Sequence, residues 1–463
     1  MRRFLPLLLT ALACGTPPEL LPPPFGPVGV QPARLFFPTG MAVTPEGNLI
    51  VANGNFDHAF DASTAVVLSK AYLDTVFARG LHCEKATNGV LPATFPDGCD
   101  EAIPQSAFLG AVLIGNYAGP LVFDAARRTA YTGSRDTNRL EGVTVDANGA
   151  LGCAAGISGA DCRQGVVDLA KAATLEGPYS IVQGFSRLPG TDTDLPTLFV
   201  ASLIPHIDTI ANNQLYTSGT IAALDPADPS QVRFSMLASS YYIGSGAGVG
   251  PMIFDPARRQ LLMSGCYQRF SNSTGGDPGT GKCSGVANSL RVLDVDSGAA
   301  AQVRLYDLTA GIRSTETTQL LFGDGDAVTP ATTLWATMRN PDALVELSLP
   351  TSPSQQPAVK HAISLPLSPG DVARVQRPGK SDLIVVSDTV LGAVAVYDVG
   401  EQQIVAQVER LGDTPFTLTQ LPAVTGAARF AVSVFGSCRV ALLEVPLDHP
   451  WDAALRGRAG SCP

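Results

Sequence analysis

Charge is scarce in this 463-residue chain. Asp, Glu, Lys and Arg make up 16 % of it, and 41 acids outnumber 31 Lys and Arg for a formal net charge of −10. That shortage of cations excludes nucleic acid as a partner, because phosphate backbones call for clustered Lys and Arg. Long hydrophobic runs are missing too: beyond the first fourteen residues none is long enough to cross a bilayer as a helix. The chain has no His-Glu-x-x-His, no Gly-x-Ser-x-Gly and no Cys-x-x-Cys, which removes the common zinc, serine-hydrolase, thioredoxin-like and haem-attachment signatures. The alternating glycines of Gly244–Gly250 lack the spacing and the βαβ setting of a dinucleotide loop.

What is present is turn-forming residues and apolar ones. Gly (46) and Pro (36) are abundant and 45 % of the chain is hydrophobic, the balance of many short strands joined by many turns around a buried core. Nine cysteines include one, Cys14, near the start. The other eight fall into close sequential pairs: Cys83/Cys99, Cys153/Cys162, Cys266/Cys283 and Cys438/Cys462. Eight cysteines allow 105 connectivities. Neighbour pairing is favoured because each pair brackets a polar, Gly-rich insertion, and each bridge would stabilise by roughly 3 kcal/mol.

The first fourteen residues, Met-Arg-Arg-Phe-Leu-Pro-Leu-Leu-Leu-Thr-Ala-Leu-Ala-Cys, read as a secretory signal too short to span a membrane. Ending on Ala13-Cys14-Gly15, the segment resembles a bacterial lipoprotein leader. That resemblance implies lipid on Cys14 and an outer-membrane lipoprotein facing the periplasm or the cell surface. Three parts follow: a signal over 1–13, a lipidated Cys14 with a Pro-rich tether over 14–27, and one domain over 28–463. Membrane attachment would be through the N-terminal lipid only.

Gly119-Pro-Leu-Val-Phe-Asp-Ala-Ala-Arg-Arg128 and Gly250-Pro-Met-Ile-Phe-Asp-Pro-Ala-Arg-Arg259 share seven of ten residues, 131 positions apart. Each has two apolar runs around a polar turn, a hairpin signal, and such self-similarity marks a repeat architecture. The twin arginines fall in the turn, where solvated side chains are expected. Further copies start near Pro38, Gly177, Thr317, Gly370 and Pro415. Third strands end in acidic turns, such as Val143-Thr-Val-Asp146 and Val394-Ala-Val-Tyr-Asp398, and fourth strands follow. Four strands per unit and seven units predict an all-β, seven-bladed β-propeller of four-stranded antiparallel blades. Blade seven shows only three clear strands, so residues 28–35 are expected to supply its fourth and close the ring.

The unit Pro38-Thr-Gly-Met-Ala-Val-Thr-Pro-Glu-Gly-Asn-Leu-Ile-Val-Ala-Asn53, followed by Thr64–Leu68, closely resembles the repeat of the YVTN-type β-propeller family. Glu46 stands where that repeat has Asp, and Ile50 where it has Tyr.

In such a ring the loops after the second strands converge on one mouth of the channel. They carry Asn53, Asp57, Arg135, Asp136, Asn138, His206, Asp208, Tyr267, Arg269, Arg339, Asn340, Asp342 and Asp388, a mixed polar set suited to a polar small molecule or a protein. The chain is therefore expected to be a binding or scaffold module at the cell envelope, with no cofactor. Leu175-Glu-Gly-Pro178 is similar to the opening of the metal-binding blade of calcium-dependent propeller lactonases. That resemblance implies an alternative, a calcium-dependent hydrolase with Glu176, Asn138 and Asp208 as ligands.

Overall fold

A computed structural model describes residues 21–24, 32–81, 101–187, 192–204, 206–210, 214–238, 242–243, 248–266, 288–301, 304–307, 316–352, 355–366, 368–460 and 462. Seven four-stranded antiparallel blades form a ring. Blade one is Pro38–Val43, Leu49–Asn53, Ser63–Leu68 and Phe108–Ile114. Blade two is Val122–Asp124, Thr129–Ser134, Arg139–Val145 and Leu151–Cys153. Blades three to six open with Glu176–Ser186, Met252–Asp255, Glu316–Phe322 and Pro369–Val375. The first strand of every blade touches the first strands of both neighbours, and blade one touches blade seven, so the ring is closed on its inner side. Thr417 Oγ1 donates to the carbonyl of Thr39 at 2.6 Å across that closure, 378 residues apart in the chain.

The strands form where short apolar runs alternate with turn residues, and the second and third strands are buried on both faces because they lie between blades. Apolar clusters fill the spaces between blades rather than one central core: Val375, Leu383, Val396, Phe430 and Leu443 join blades six and seven. Inner strands approach very closely. A Cβ on Gly133 would lie 2.6 Å from the carbonyl oxygen of Pro178 in the next blade, so that crossing requires glycine.

Two expectations are corrected. Blade seven is Pro415–Gln420, Ala427–Val434, Arg439–Pro446 and Ala454–Ala459, so its fourth strand comes from the C-terminus, not from residues 28–35. Residues 28–31 lie outside the described residues and 32–35 form no strand. The Ala454–Ala459 run was hard to see because Leu455-Arg-Gly-Arg458 is half polar; Arg456 pairs with Glu444 and Arg458 is buried. The second correction concerns the twin arginines, which are struts rather than solvated turns. Arg128 bridges to Glu46 of blade one, Arg258 caps Asp255 and reaches the carbonyl of Ala331 in blade five, and Arg259 forks onto Asp296.

The predicted disulfides Cys153–Cys162 and Cys438–Cys462 are formed. Cys83, Cys99 and Cys283 lie outside the described residues, as do Cys14 and residues 1–20; Cys266 ends a described strand, but its side chain is not described. An unanticipated helix, Lys70–Arg79, is capped by Ser69 and packs Leu73, Val76 and Phe77 between blades one and seven.

Candidate functional site: an aromatic crescent at one mouth

In an antiparallel blade the loop after the second strand and the segment leading into the next first strand lie at the same end. At that end of blades seven, one, two and three, six half-exposed aromatic rings gather around Arg135. Phe435 contacts Phe37 at 5.1 Å between centroids, Phe56 at 4.9 Å and Phe416 at 6.2 Å. Phe56 meets Tyr117 edge-on at 5.0 Å, and His58 packs on Tyr117 at 4.8 Å and hydrogen-bonds its hydroxyl. The Arg135 guanidinium carbon lies 5.1, 5.7 and 5.8 Å from the rings of Phe56, Tyr117 and Tyr179. Such ring pairs contribute about 0.5–1.5 kcal/mol each beyond area burial.

The backbone holds this array in place. Gly54 N donates to Phe37 O, Tyr117 N donates to Gly54 O, and Arg135 Nε donates to Tyr117 O, a relay across four segments at one end of blades one and two. Phe37, Asn55 and Tyr117 have φ of 46°, 47° and 54°, the left-handed region that costs energy outside glycine and is kept where the surroundings enforce it. Asn55 is fully buried, and its amide clamps both the N–H and the carbonyl of Phe60. A Cβ on Gly54 would sit 2.4 Å from the Phe56 ring, so glycine lets the ring fold over the loop. Phe435 opens a one-turn 3-10 segment that ends at Cys438, whose disulfide to Cys462 fastens the turn.

Beneath the crescent runs a polar seam between blades one and two. Asn55 donates to Asn116 Oδ1 at 2.7 Å, and Ser134 Oγ donates to Asp136 Oδ1 at 2.7 Å. Glu141 is wholly buried and accepts from Gly115 N. Burial pushes its carboxyl up to about 8, against the lowering by the Gly115 N–H and with help from Asp136 and Asp161.

The structure distributes the sequence-predicted residues unevenly. Arg135 stands in the crescent. Asn53 is buried and ties the entry segment down, accepting from Phe36 N and donating to Arg34 O and Thr64. Asp57 caps Ala59 N in its own turn, and Asp136 accepts from Asn116 N in the segment that joins blades one and two. Asn138 Oδ1 accepts from Gly177 N, which sets it beside Glu176 but commits that oxygen to the backbone. His206 and Asp208 lie on the inserted strand His206–Ile210, whose side chains are not described; Tyr267 and Arg269 lie outside the described residues. Arg339 donates to Pro369 O, and exposed Asn340 precedes a cis proline next to Asp342, all at blades five and six. Asp388 caps Val390 and Leu391 and lines a shallow apolar dimple with Leu365, Pro369 and Ala395. Among the described residues no three His, Cys, Asp or Glu side chains are gathered for a metal.

Phe37, Phe56, Tyr117, Tyr179, Phe416 and Phe435 were not singled out in the sequence. Their signal is positional: an aromatic sits beside the entry of blades one, two, three and seven, at Phe37-Pro38, Tyr117, Pro178-Tyr179 and Pro415-Phe416.

No protein-family model matches the chain, and no curated protein matches it. Among solved structures it is similar to Kuenenia stuttgartiensis hydrazine synthase, at TM-score 0.51 and 12 % identity over 92 % of this chain and 100 % of that one. It is also similar to a COPII outer-coat vertex on membranes, at TM-score 0.50 and 10 % identity over 89 % and 85 %. A protein from Lactobacillus plantarum aligns at TM-score 0.43 and 12 % identity over 80 % and 84 %. At such identities the likeness shows the β-propeller fold alone.

Proposed function

We propose that this propeller is an exported binding module that holds a protein partner at its aromatic mouth. The observation that carries this reading is the crescent itself: six half-exposed rings from four blades, contiguous and framed by one arginine. Aromatic and Arg side chains clustered in a half-desolvated patch are the composition of an interface centre. The ring supplies rigidity, since neighbouring blades fix each loop.

The leader supports export, and the Cys153–Cys162 and Cys438–Cys462 bridges fit an oxidising compartment. Lipid on Cys14 would set the mouth near a membrane. Leu21 exchanges backbone hydrogen bonds with Ala59 and Asp61 in the blade-one loop at that end, seven residues from Cys14 and so at most about 25 Å away.

The test is site-specific photocrosslinking in the producing cell. A benzoylphenylalanine at position 56 should give discrete adducts; one at Glu401, in an exposed turn at the opposite end, should not. Equal labelling from both positions would contradict the reading. Mass spectrometry of the mature N-terminus checks the lipid.

A further inference from the structure

Among the described residues no carboxylate pairs with Arg135. Several buried or half-buried arginines in this acidic chain meet carboxylates, Arg258 with Asp255 at 2.7 Å, Arg377 with Asp398 at 2.6 Å and Arg429 with Glu444 at 2.9 Å, while the wholly buried Arg291 spends both terminal nitrogens on backbone carbonyls. Arg135 makes one hydrogen bond, from Nε to Tyr117 O, and no ion pair among the described residues. Its exposed neighbour Asp136 accepts from Asn116 N and Ser134 Oγ instead. Burial draws the guanidinium below its ordinary value, and the groups acting against that are phenols, Tyr179 and Tyr117, rather than an acid. Three rings hold the guanidinium while its two terminal nitrogens keep their donors, the fork that matches a carboxylate.

Resting on the reading of the mouth as a binding site, we propose that Arg135 receives a carboxylate of the bound partner. The occupant is then an extended peptide segment presenting one acid beside apolar side chains. Charge selects this class. A single cation on a body of net charge −10 suits a monoanion and disfavours polyphosphates or strongly anionic membranes. The rings of Phe56, Phe435, Phe37 and Phe416 extend the site away from Arg135 as an apolar shelf for the flanking side chains. The acid is either a chain terminus or an Asp or Glu side chain, and the probes below separate the two.

The mature chain is titrated with three peptides by saturation-transfer NMR: acetyl-Phe-Phe with a free carboxylate, the same peptide as its C-terminal amide, and acetyl-Phe-Glu-Phe-amide. At least one carboxylate probe should bind about tenfold more tightly than the neutral amide, the difference expected of one charge-assisted pair. A preference confined to acetyl-Phe-Phe identifies a terminus; one shared with the Glu peptide identifies a side chain. Arg135→Gln should abolish the preference and leave amide binding unchanged, whereas Arg135→Lys should keep part of it. Phe56→Ala should weaken all three probes. Equal binding of acid and amide, or a preference that survives in Arg135→Gln, would overturn the inference; loss of binding in Phe56→Ala would still support the mouth. Failure of every probe at millimolar concentration would overturn the inference, and the photocrosslinking test would then judge the mouth separately.

Discussion

The backbone N–H of Gly115 points at both carboxylate oxygens of Glu141, at 2.8 and 2.9 Å, inside the seam between blades one and two. Glu141 lies opposite Thr132, and Arg291 lies opposite Met263, the repeat-equivalent position in blade four. Both side chains reach the segment that follows the previous blade's outer strand; Arg291 donates there to Ala238 O. One place in the repeat thus carries a buried acid in one blade and a buried arginine in another.

Glu141 makes stability depend on pH. Its folded pKa, about 8, lies above the unfolded value near 4.5, so the folded state keeps a proton that the unfolded state releases. Stability is expected to fall as pH rises from about 4.5 to about 8 and to level off above. Glu141→Gln keeps an acceptor for Gly115 and should flatten that decline, gaining on the order of a few kcal/mol at pH 8. Urea titrations across that range check it.

Arg377 and Asp398 form a buried pair, 2.6 Å apart, with Ser381 on the other carboxylate oxygen. Burial opposes the charge, but Ser381, Arg377 and the N–H groups of Glu401 and Gly400 hold Asp398 below the usual range. A depressed carboxylate stabilises above its unfolded pKa and loses that contribution as pH falls through the folded value. Arg377→Met should cost about 3–5 kcal/mol at neutral pH, because it strands a buried carboxylate. Chemical denaturation of the variant measures it.

The inner ring should be intolerant of side chains at its glycines. Gly133→Ala places a Cβ 2.6 Å from Pro178 O, backbone against backbone. A loss of about 1–3 kcal/mol is expected, seen as a lowered melting temperature, while Gly152→Ala, whose Cβ would meet only the Thr144 hydroxyl at 3.1 Å, should lose less.

Opening Cys438–Cys462 should destabilise by roughly 3 kcal/mol, and it should act on the mouth as well. The bridge ends the Phe435 turn, so Cys438→Ser should raise hydrogen exchange at Phe435–Ser437 above that at Arg439–Pro446.

Seven blades were legible because each repeats one hairpin and most carry an acidic turn after the third strand; Asp124/Arg127 and Asp255/Arg258 even repeat the same side-chain cap. Blade seven's last strand was not legible, since Arg456 and Arg458 break its apolar pattern and are matched only by partners elsewhere, Glu444 and Arg410 O. At the mouth, Arg135 was visible as a loop residue, whereas Asn53 and Asn138 shared its chemistry but spend it on the backbone. The aromatic crescent escaped notice because its members are up to 398 residues apart, Phe37 to Phe435, and only ring closure makes them neighbours.

The claim that the crescent binds a partner is tested most directly by one comparison. A photocrosslinker at position 117 is placed in the wild-type chain and in a Phe56→Ser, Phe435→Ser double variant whose melting is checked. The account predicts discrete adducts in the wild type and their loss in a double variant that remains folded. Adducts of undiminished yield in the folded double variant would contradict it.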